Sequence, residues 1–214
     1  MIALSLRSYA PDERFADDLR QWSEHLAARF REAGSMEQRH LLFQQAATGW
    51  MAAYTGDVAL AQRLLERIEG HPLIAAYPAN AAMQRVLQAE IFLASGKPSE
   101  AVAVLAPDQD DANGLYFSRA VLMRALAAAG KPGAAAEQTD WLASHRGRAF
   151  AEFNSRSGWQ AANVIESNLA LRAAAQLAER AGQKDRANKR TEEFSRAWPG
   201  GEALEAVKRR DATL

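Results

Sequence analysis

Apolar residues recur at three- and four-residue spacing along most of the chain, which is the pattern of amphipathic α-helices. The repeating arrangement is a pair of such helices joined by a short turn that contains glycine. The pairs fall at residues 35–68, 80–105, 114–145 and 165–198, with turns at Gly56, Gly96, Gly130 and Gly182. The pattern predicts an all-α chain of about four antiparallel helical hairpins.

Residues 1–34 precede the first hairpin. Ile2, Leu4 and Leu6 alternate with small or polar residues, which predicts a short strand or an extended arm. A helix follows whose large apolar residues lie on one stripe: Phe15, Leu19, Trp22, Leu26 and Phe30. We expect residues 1–34 to form an N-terminal arm and a capping helix. The next helix begins near Ser35, which with Gln38 suits a capping box.

Each turn glycine is followed five residues later by an alanine. Glycine ends a helix without strain in the left-handed conformation, and alanine lets two antiparallel helices cross closely. The alanines are Ala61, Ala101, Ala135 and Ala187. Alanine accounts for 47 of the 214 residues and is the strongest helix former, so the composition also favours close-packed helices.

The turn Gly96-Lys97-Pro98 returns 34 residues later as Gly130-Lys131-Pro132. This spacing and the glycine–alanine pairs resemble the tetratricopeptide repeat, a helix–turn–helix unit of 34 residues. The resemblance covers residues 35–200, interrupted at 146–164, and leaves residues 201–214 as a short C-terminal helix or tail. It implies an α-solenoid with a right-handed superhelix, whose first helices line a concave groove.

Counting back from each glycine places eleven side chains in this predicted groove: Phe43, Trp50, Tyr54, Met83, Val86, Glu90, Phe117, Arg124, Arg172, Gln176 and Arg180. Phe43, Trp50 and Tyr54 form an aromatic stripe of several hundred Å² if exposed, at ~150–250 Å² for each ring. Either the helix over residues 15–30 caps this stripe, or the stripe is a pocket for a partner's apolar side chain.

The other end of the predicted groove is rich in arginine. Arg124, Arg172 and Arg180 could clamp a carboxylate, such as a partner's C-terminus, by bidentate hydrogen bonds. The alternative is ordinary helix surface, solvated or paired with neighbouring carboxylates, which has no functional role.

The interruption at 146–164 mixes arginines with aromatic residues. Such a mixture can stack on nucleic-acid bases. We instead predict a wedge between irregular repeats, with Phe150 and Trp159 buried. Residues 141–158 also resemble repeat regions that are attached to bacterial multidomain regulators.

Composition narrows the functional classes. Lys plus Arg and Asp plus Glu are both 26, and this balance argues against binding of bulk nucleic acid. The chain has no cysteine, which excludes disulfides and thiolate chemistry. Neither a signal peptide nor an apolar stretch of membrane-spanning length is present in the sequence, so a cytoplasmic protein is expected.

No recognised catalytic or metal-binding motif supports an enzyme, a metal or a cofactor. We therefore predict a non-enzymatic scaffold or adaptor module that binds a protein or peptide in the predicted groove. The alternative is a regulatory sensor domain that binds a small ligand there, with an anionic group near the arginines.

Overall fold

The computed structural model describes residues 1–108, 114–152 and 159–198, together with Glu205. Over these residues the chain is all-α, as the sequence predicts. The helices are α1 (Ile2–Arg7), α2 (Phe15–Glu32), α3 (Ser35–Tyr54), α4 (Val58–Ile68), α5 (Pro72–Ala75), α6 (Pro78–Ala94), α7 (Pro98–Leu105), α8 (Tyr116–Ala128), α9 (Pro132–Ser144), α10 (Arg146–Ala151), α11 (Gln160–Arg180) and α12 (Lys184–Ala197). None of the described helices has both the length and the apolar character of a membrane span.

The prediction of a strand or extended arm at the N-terminus was wrong, because residues 2–7 form α1. The Ser5 hydroxyl donates to the carbonyl of Ile2 at 2.8 Å, and the N–H of Ser8 donates to the carbonyl of Leu4 at 3.0 Å. Leu4 packs against the core, whereas Ile2 and Leu6 are exposed. In a helix, residues four apart lie on one face, so Ile2 and Leu6 share the exposed face while Leu4 lies on the other side against the core.

The start of α3 also differs from the prediction. Gly34 is the N-cap residue, and no side chain caps this end of the helix. The Gln38 side chain instead donates to the carbonyl of Phe30 at 3.3 Å and joins α3 to the end of α2.

The four predicted hairpin turns are confirmed. At Gly96 the N–H donates to the carbonyl of Leu93 at 3.0 Å, and the N–H of Lys97 donates to the carbonyl of Phe92 at 2.8 Å. This pair of bonds is a Schellman motif, which requires a residue with positive φ. The angle φ is 97° at Gly56, 70° at Gly96, 69° at Gly130 and 72° at Gly182. The alanines at the crossings, Ala61, Ala101, Ala135 and Ala187, are all buried.

The first helices of the hairpins pack against one another in chain order: α3 on α6, α6 on α8 and α8 on α11. Each also packs against the second helix of its own hairpin. The approach of α3 to α6 is close at Gly49, where a Cβ atom would lie 2.8 Å from both Cδ atoms of Leu87. The main core follows this row of first helices.

The N-terminal helix α1 packs against α11, the first helix of the last hairpin. In the interruption Trp159 is buried as predicted, but Phe150 is 51% exposed and that prediction was wrong. On α10 the neighbouring Ala149 faces the core, and consecutive helical residues point about 100° apart. The predicted short C-terminal helix or tail, residues 201–214, lies outside the described residues except for Glu205. Residues 153–158 of the predicted wedge also lie outside them.

Substitution of two glycines in the third hairpin tests how much the positive φ of the turn contributes to stability. We expect Gly130→Ala to lower the free energy of unfolding by ~1–2 kcal/mol, because alanine is strained at positive φ. Gly133→Ala, in the first turn of α9, is the matched control and should be neutral or stabilising by up to ~1 kcal/mol. An added Cβ meets no atom within 4 Å at either position. Equal effects in urea unfolding would contradict the assigned turn.

Candidate functional site

The aromatic stripe lies inside the protein. Trp50 is fully buried, and its ring stacks on Tyr54 with centroids 4.6 Å apart and an interplanar angle of 18°. Phe117 and Trp159 meet the Trp50 ring edge-on at 4.8 Å and 5.4 Å. Tyr9 contacts the Tyr54 ring at 5.5 Å. The rings that cover the stripe therefore come from α8, from Trp159 at the start of α11 and from Tyr9, rather than from α2.

The apolar part of the predicted groove is not an open surface. Its apolar members, Phe43, Met83, Val86 and Phe117, are buried together with Trp50 and Tyr54. The aromatic end is therefore core, and a partner cannot reach it while Tyr9 and Trp159 are in place.

A buried ion pair joins three of the first helices. The Glu90 carboxylate on α6 accepts hydrogen bonds from Arg124 Nη1 at 3.1 Å and Nη2 at 2.8 Å on α8. It also accepts one from Trp50 Nε1 on α3 at 2.9 Å. The side chains of Glu90 and Arg124 are only 5% and 15% exposed, so desolvation makes this pairing necessary. Arg124 is thus tied to Glu90 and is not the free clamp that its sequence position suggested.

The electrostatics of Arg124 follow from these neighbours. Burial by itself lowers the pKa of Arg124, but the carboxylates of Glu90 and Glu166 outweigh it, and the net pKa is raised. The guanidinium also lies over the Tyr54 ring, 5.0 Å from its centroid. Its buried Nε atom has no hydrogen-bond acceptor.

Glu166 is a buried site residue that the sequence analysis missed. It lies on α11 with 1% exposure, and its Oε1 accepts a hydrogen bond from the Tyr9 hydroxyl at 2.8 Å. Burial and the negative charge of Glu166 raise the pKa of Tyr9 well above its ordinary value. The sequence does contain one sign of this burial. Glu166 is a charged residue on the otherwise apolar helical stripe that continues through Leu169, Ala173 and Leu177.

Glu152, a partly buried carboxylate that the sequence analysis also missed, stabilises the start of a helix. Glu152 accepts hydrogen bonds from the N–H of Tyr116, at the start of α8, and from Asn163 Nδ2 at 2.9 Å. It therefore satisfies one of the unpaired N–H groups that every helix start presents. Burial raises the pKa of Glu152, although these hydrogen bonds and Arg148 oppose the shift.

A cavity of about 100 Å³ lies between the C-terminal part of α8 and residues 166–180 of α11, beside the end of α3. Its walls are apolar, formed by Met123, Leu169, Ala173 and Leu177. Its polar buried side consists of Tyr54, Arg124 and Glu166, and its exposed edge consists of Ala127, Ala128, Gln176 and Arg180. Of the predicted groove residues, Tyr54, Arg124, Gln176 and Arg180 meet here, whereas Arg172 does not line the cavity.

This lining suits binding of a small amphipathic group. The walls contact apolar atoms, while the carboxylate, guanidinium and amide groups offer acceptors and donors. Within the described part of the chain, no three His, Asp or Glu residues cluster closely enough to hold a metal ion. No family model, curated protein or solved structure matches the sequence. The function is therefore inferred from this geometry.

The buried ion pair generates a stability prediction. We expect Glu90→Ala to lower the free energy of unfolding by ~3–5 kcal/mol, because it leaves the Arg124 guanidinium buried without its partner. Glu192→Ala is the control, since Glu192 and its partner Arg196 are each 70% exposed. That substitution should cost no more than ~1 kcal/mol. Similar urea midpoints for both variants would show that Glu90 is not held as described.

The buried tyrosines generate a pH prediction. The pKa values of Tyr9 and Tyr116 are both raised, chiefly by burial, so these residues should keep their protons above the ordinary tyrosine pKa of about 10. The unfolded chain releases those protons first, so stability is full below about pH 10 and falls as the pH rises further. Tyrosinate absorbance of the native protein should show fewer than the four ionised tyrosines that unfolded protein shows. Ionisation of all four near pH 10 without unfolding would contradict the burial.

Proposed function

We propose that this chain is a tetratricopeptide-like helical-repeat interaction module of the scaffold or adaptor kind, which binds a protein or peptide partner. The observation that carries the proposal is the cavity between α8 and α11, with apolar walls, a polar buried side and an exposed edge. In this proposal the cavity receives one side chain or terminal group of the partner.

Several features support the repeat architecture. The four hairpin turns share one hydrogen-bonding geometry, with a buried alanine at each crossing. The first helices pack in chain order, each against the next. These features favour an α-solenoid of about four hairpins, in which the first helices share one face.

The size of the cavity favours a partner's side chain over a whole small molecule. Pockets for drug-sized ligands measure ~300–1,000 Å³, whereas this cavity measures about 100 Å³. The affinity of a peptide would then come from a side chain in the cavity together with contacts along the exposed face of α11. Gln176 and Arg180 lie on that face, at the edge of the cavity.

One observation favours a second candidate, a sensor domain for a small anionic ligand. Arg124 lines the cavity with an Nε–H that has no acceptor, and Arg180 stands at the exposed edge. A carboxylate or phosphate of few atoms could accept from both guanidinium groups.

The experiment begins with peptides selected from a random display library against the wild-type protein. Ala173→Phe fills the cavity from its wall, so we expect the peptides to bind at least about tenfold more weakly, which corresponds to about 1.4 kcal/mol. Arg180→Ala should weaken binding several-fold. Arg172→Ala is the matched control on the same helix and should leave the dissociation constant unchanged, since Arg172 does not line the cavity.

Thermal melts of the three variants check that each remains folded. Selected peptides that bind all three variants like wild type would refute the cavity as the binding site. If no peptide is selected, and small anionic compounds raise the melting temperature of wild type but not of Ala173→Phe, the sensor function replaces the interaction function.

A further inference from the structure

Tyr9 occupies the face that the first helices share. Its ring contacts Trp50 at 6.1 Å and Tyr54 at 5.5 Å, both on α3, and its hydroxyl donates to Glu166 on α11 at 2.8 Å. Tyr54 and Glu166 also line the cavity, so the place of Tyr9 adjoins it. The residue is 3% exposed, although it belongs to none of the four hairpins.

The segment that carries Tyr9 has one buried side and one exposed side. Within α1, Leu4 packs against the core and Ser5 is buried, but Ile2 and Leu6 are 56% and 45% exposed. Arg7 pairs with Asp12 and Asp18 in partly exposed ion pairs, which contribute little to stability. Met1 also packs against the core and Ser8 is buried, and to these contacts Tyr9 adds its ring and a hydrogen bond to Glu166 on α11.

The Tyr9 side chain is held in the way that a bound ligand would be held, although it belongs to the same chain. An aromatic ring lies against Trp50 and Tyr54, and a hydroxyl at its tip meets a buried carboxylate 157 residues away in sequence. The residues that hold the ring belong to the first helices, which in a helical-repeat module form the partner-binding face. The chemistry of Tyr9 thus indicates which partner group this face recognises.

We propose that residues 1–10 form an N-terminal plug, and that the plug occupies the place of a tyrosine-bearing peptide segment of the partner. The proposal rests on the proposed interaction function and specifies its partner class. Displacement uncovers only the parts of Trp50 and Tyr54 that the Tyr9 ring contacts and removes the Tyr9 hydrogen bond from Glu166. The partner's tyrosine takes the same contacts while its neighbouring residue reaches the cavity. A tethered plug competes at an effective concentration of roughly millimolar, so the closed state weakens partner binding.

The test uses the full chain and a fluorescent synthetic peptide of residues 1–12. In Tyr9→Ala the plug loses its ring, so we expect the peptide to bind this variant at least about tenfold more tightly than wild type. A peptide with its own Tyr9→Ala substitution should bind neither protein. Leu6→Ala, which changes an exposed position of the plug, is the protein control and should behave like wild type.

Tyr9→Phe is the second variant and applies also if Tyr9→Ala fails to fold. It keeps the ring and removes only the hydrogen bond to Glu166, so the plug should open more often and the peptide should bind several-fold more tightly than to wild type. The plug proposal would be overturned if the peptide bound wild type and Tyr9→Phe equally, or if it did not bind folded Tyr9→Ala.

The outcomes separate this inference from the function on which it rests. If the plug peptide fails to bind while library peptides are lost in Ala173→Phe, the interaction function stands and the plug does not. If the plug peptide binds Tyr9→Ala but no library peptide is selected, the plug stands as an intramolecular closure and the external partner does not.

Discussion

Three of the first helices depend on one buried carboxylate. Glu90 accepts hydrogen bonds from Arg124 on α8 and from Trp50 on α3, while it is itself part of α6. A charge can remain in such a position only if its lone pairs are occupied and an opposite charge is adjacent. Because the three partners come from different hairpins, this requirement fixes how the hairpins are placed relative to one another.

In the proposed function, the same polar group links stability to binding. Arg124 contacts Glu90 and Tyr54, and it also lines the cavity beside Glu166. A ligand in the cavity therefore meets side chains whose orientation is already fixed by buried hydrogen bonds. Preorganisation of this kind reduces the entropy lost on binding. The exposed edge, Gln176 and Arg180, lacks such support and can adapt to the partner.

Local sequence was sufficient for the hairpins and insufficient for the site. A glycine at a helix end and an alanine five residues later are close in sequence and belong to the same hairpin. The roles of Gly96 and Ala101 could therefore be predicted without knowledge of the rest of the chain. Helical periodicity likewise placed Trp50 and Tyr54 on one stripe. The burial of Trp159 was predicted, but the contact of Tyr9 with the stripe could not be, because Tyr9 lies far from α3 in sequence and outside the hairpins. The bond from Tyr9 to Glu166 leaves no periodic signal, and α1 was too short for its period to be recognised.

The central claim is that a partner binds at the cavity between α8 and α11. Methionine methyl resonances test it most directly, because Met123 lines the cavity, whereas Met36 is 76% exposed at the start of α3. In the protein labelled with ¹³C at the methionine methyls, addition of a selected peptide should shift the Met123 signal and leave the Met36 signal in place. A shift of Met36 with an unchanged Met123 would place the partner elsewhere and contradict the account.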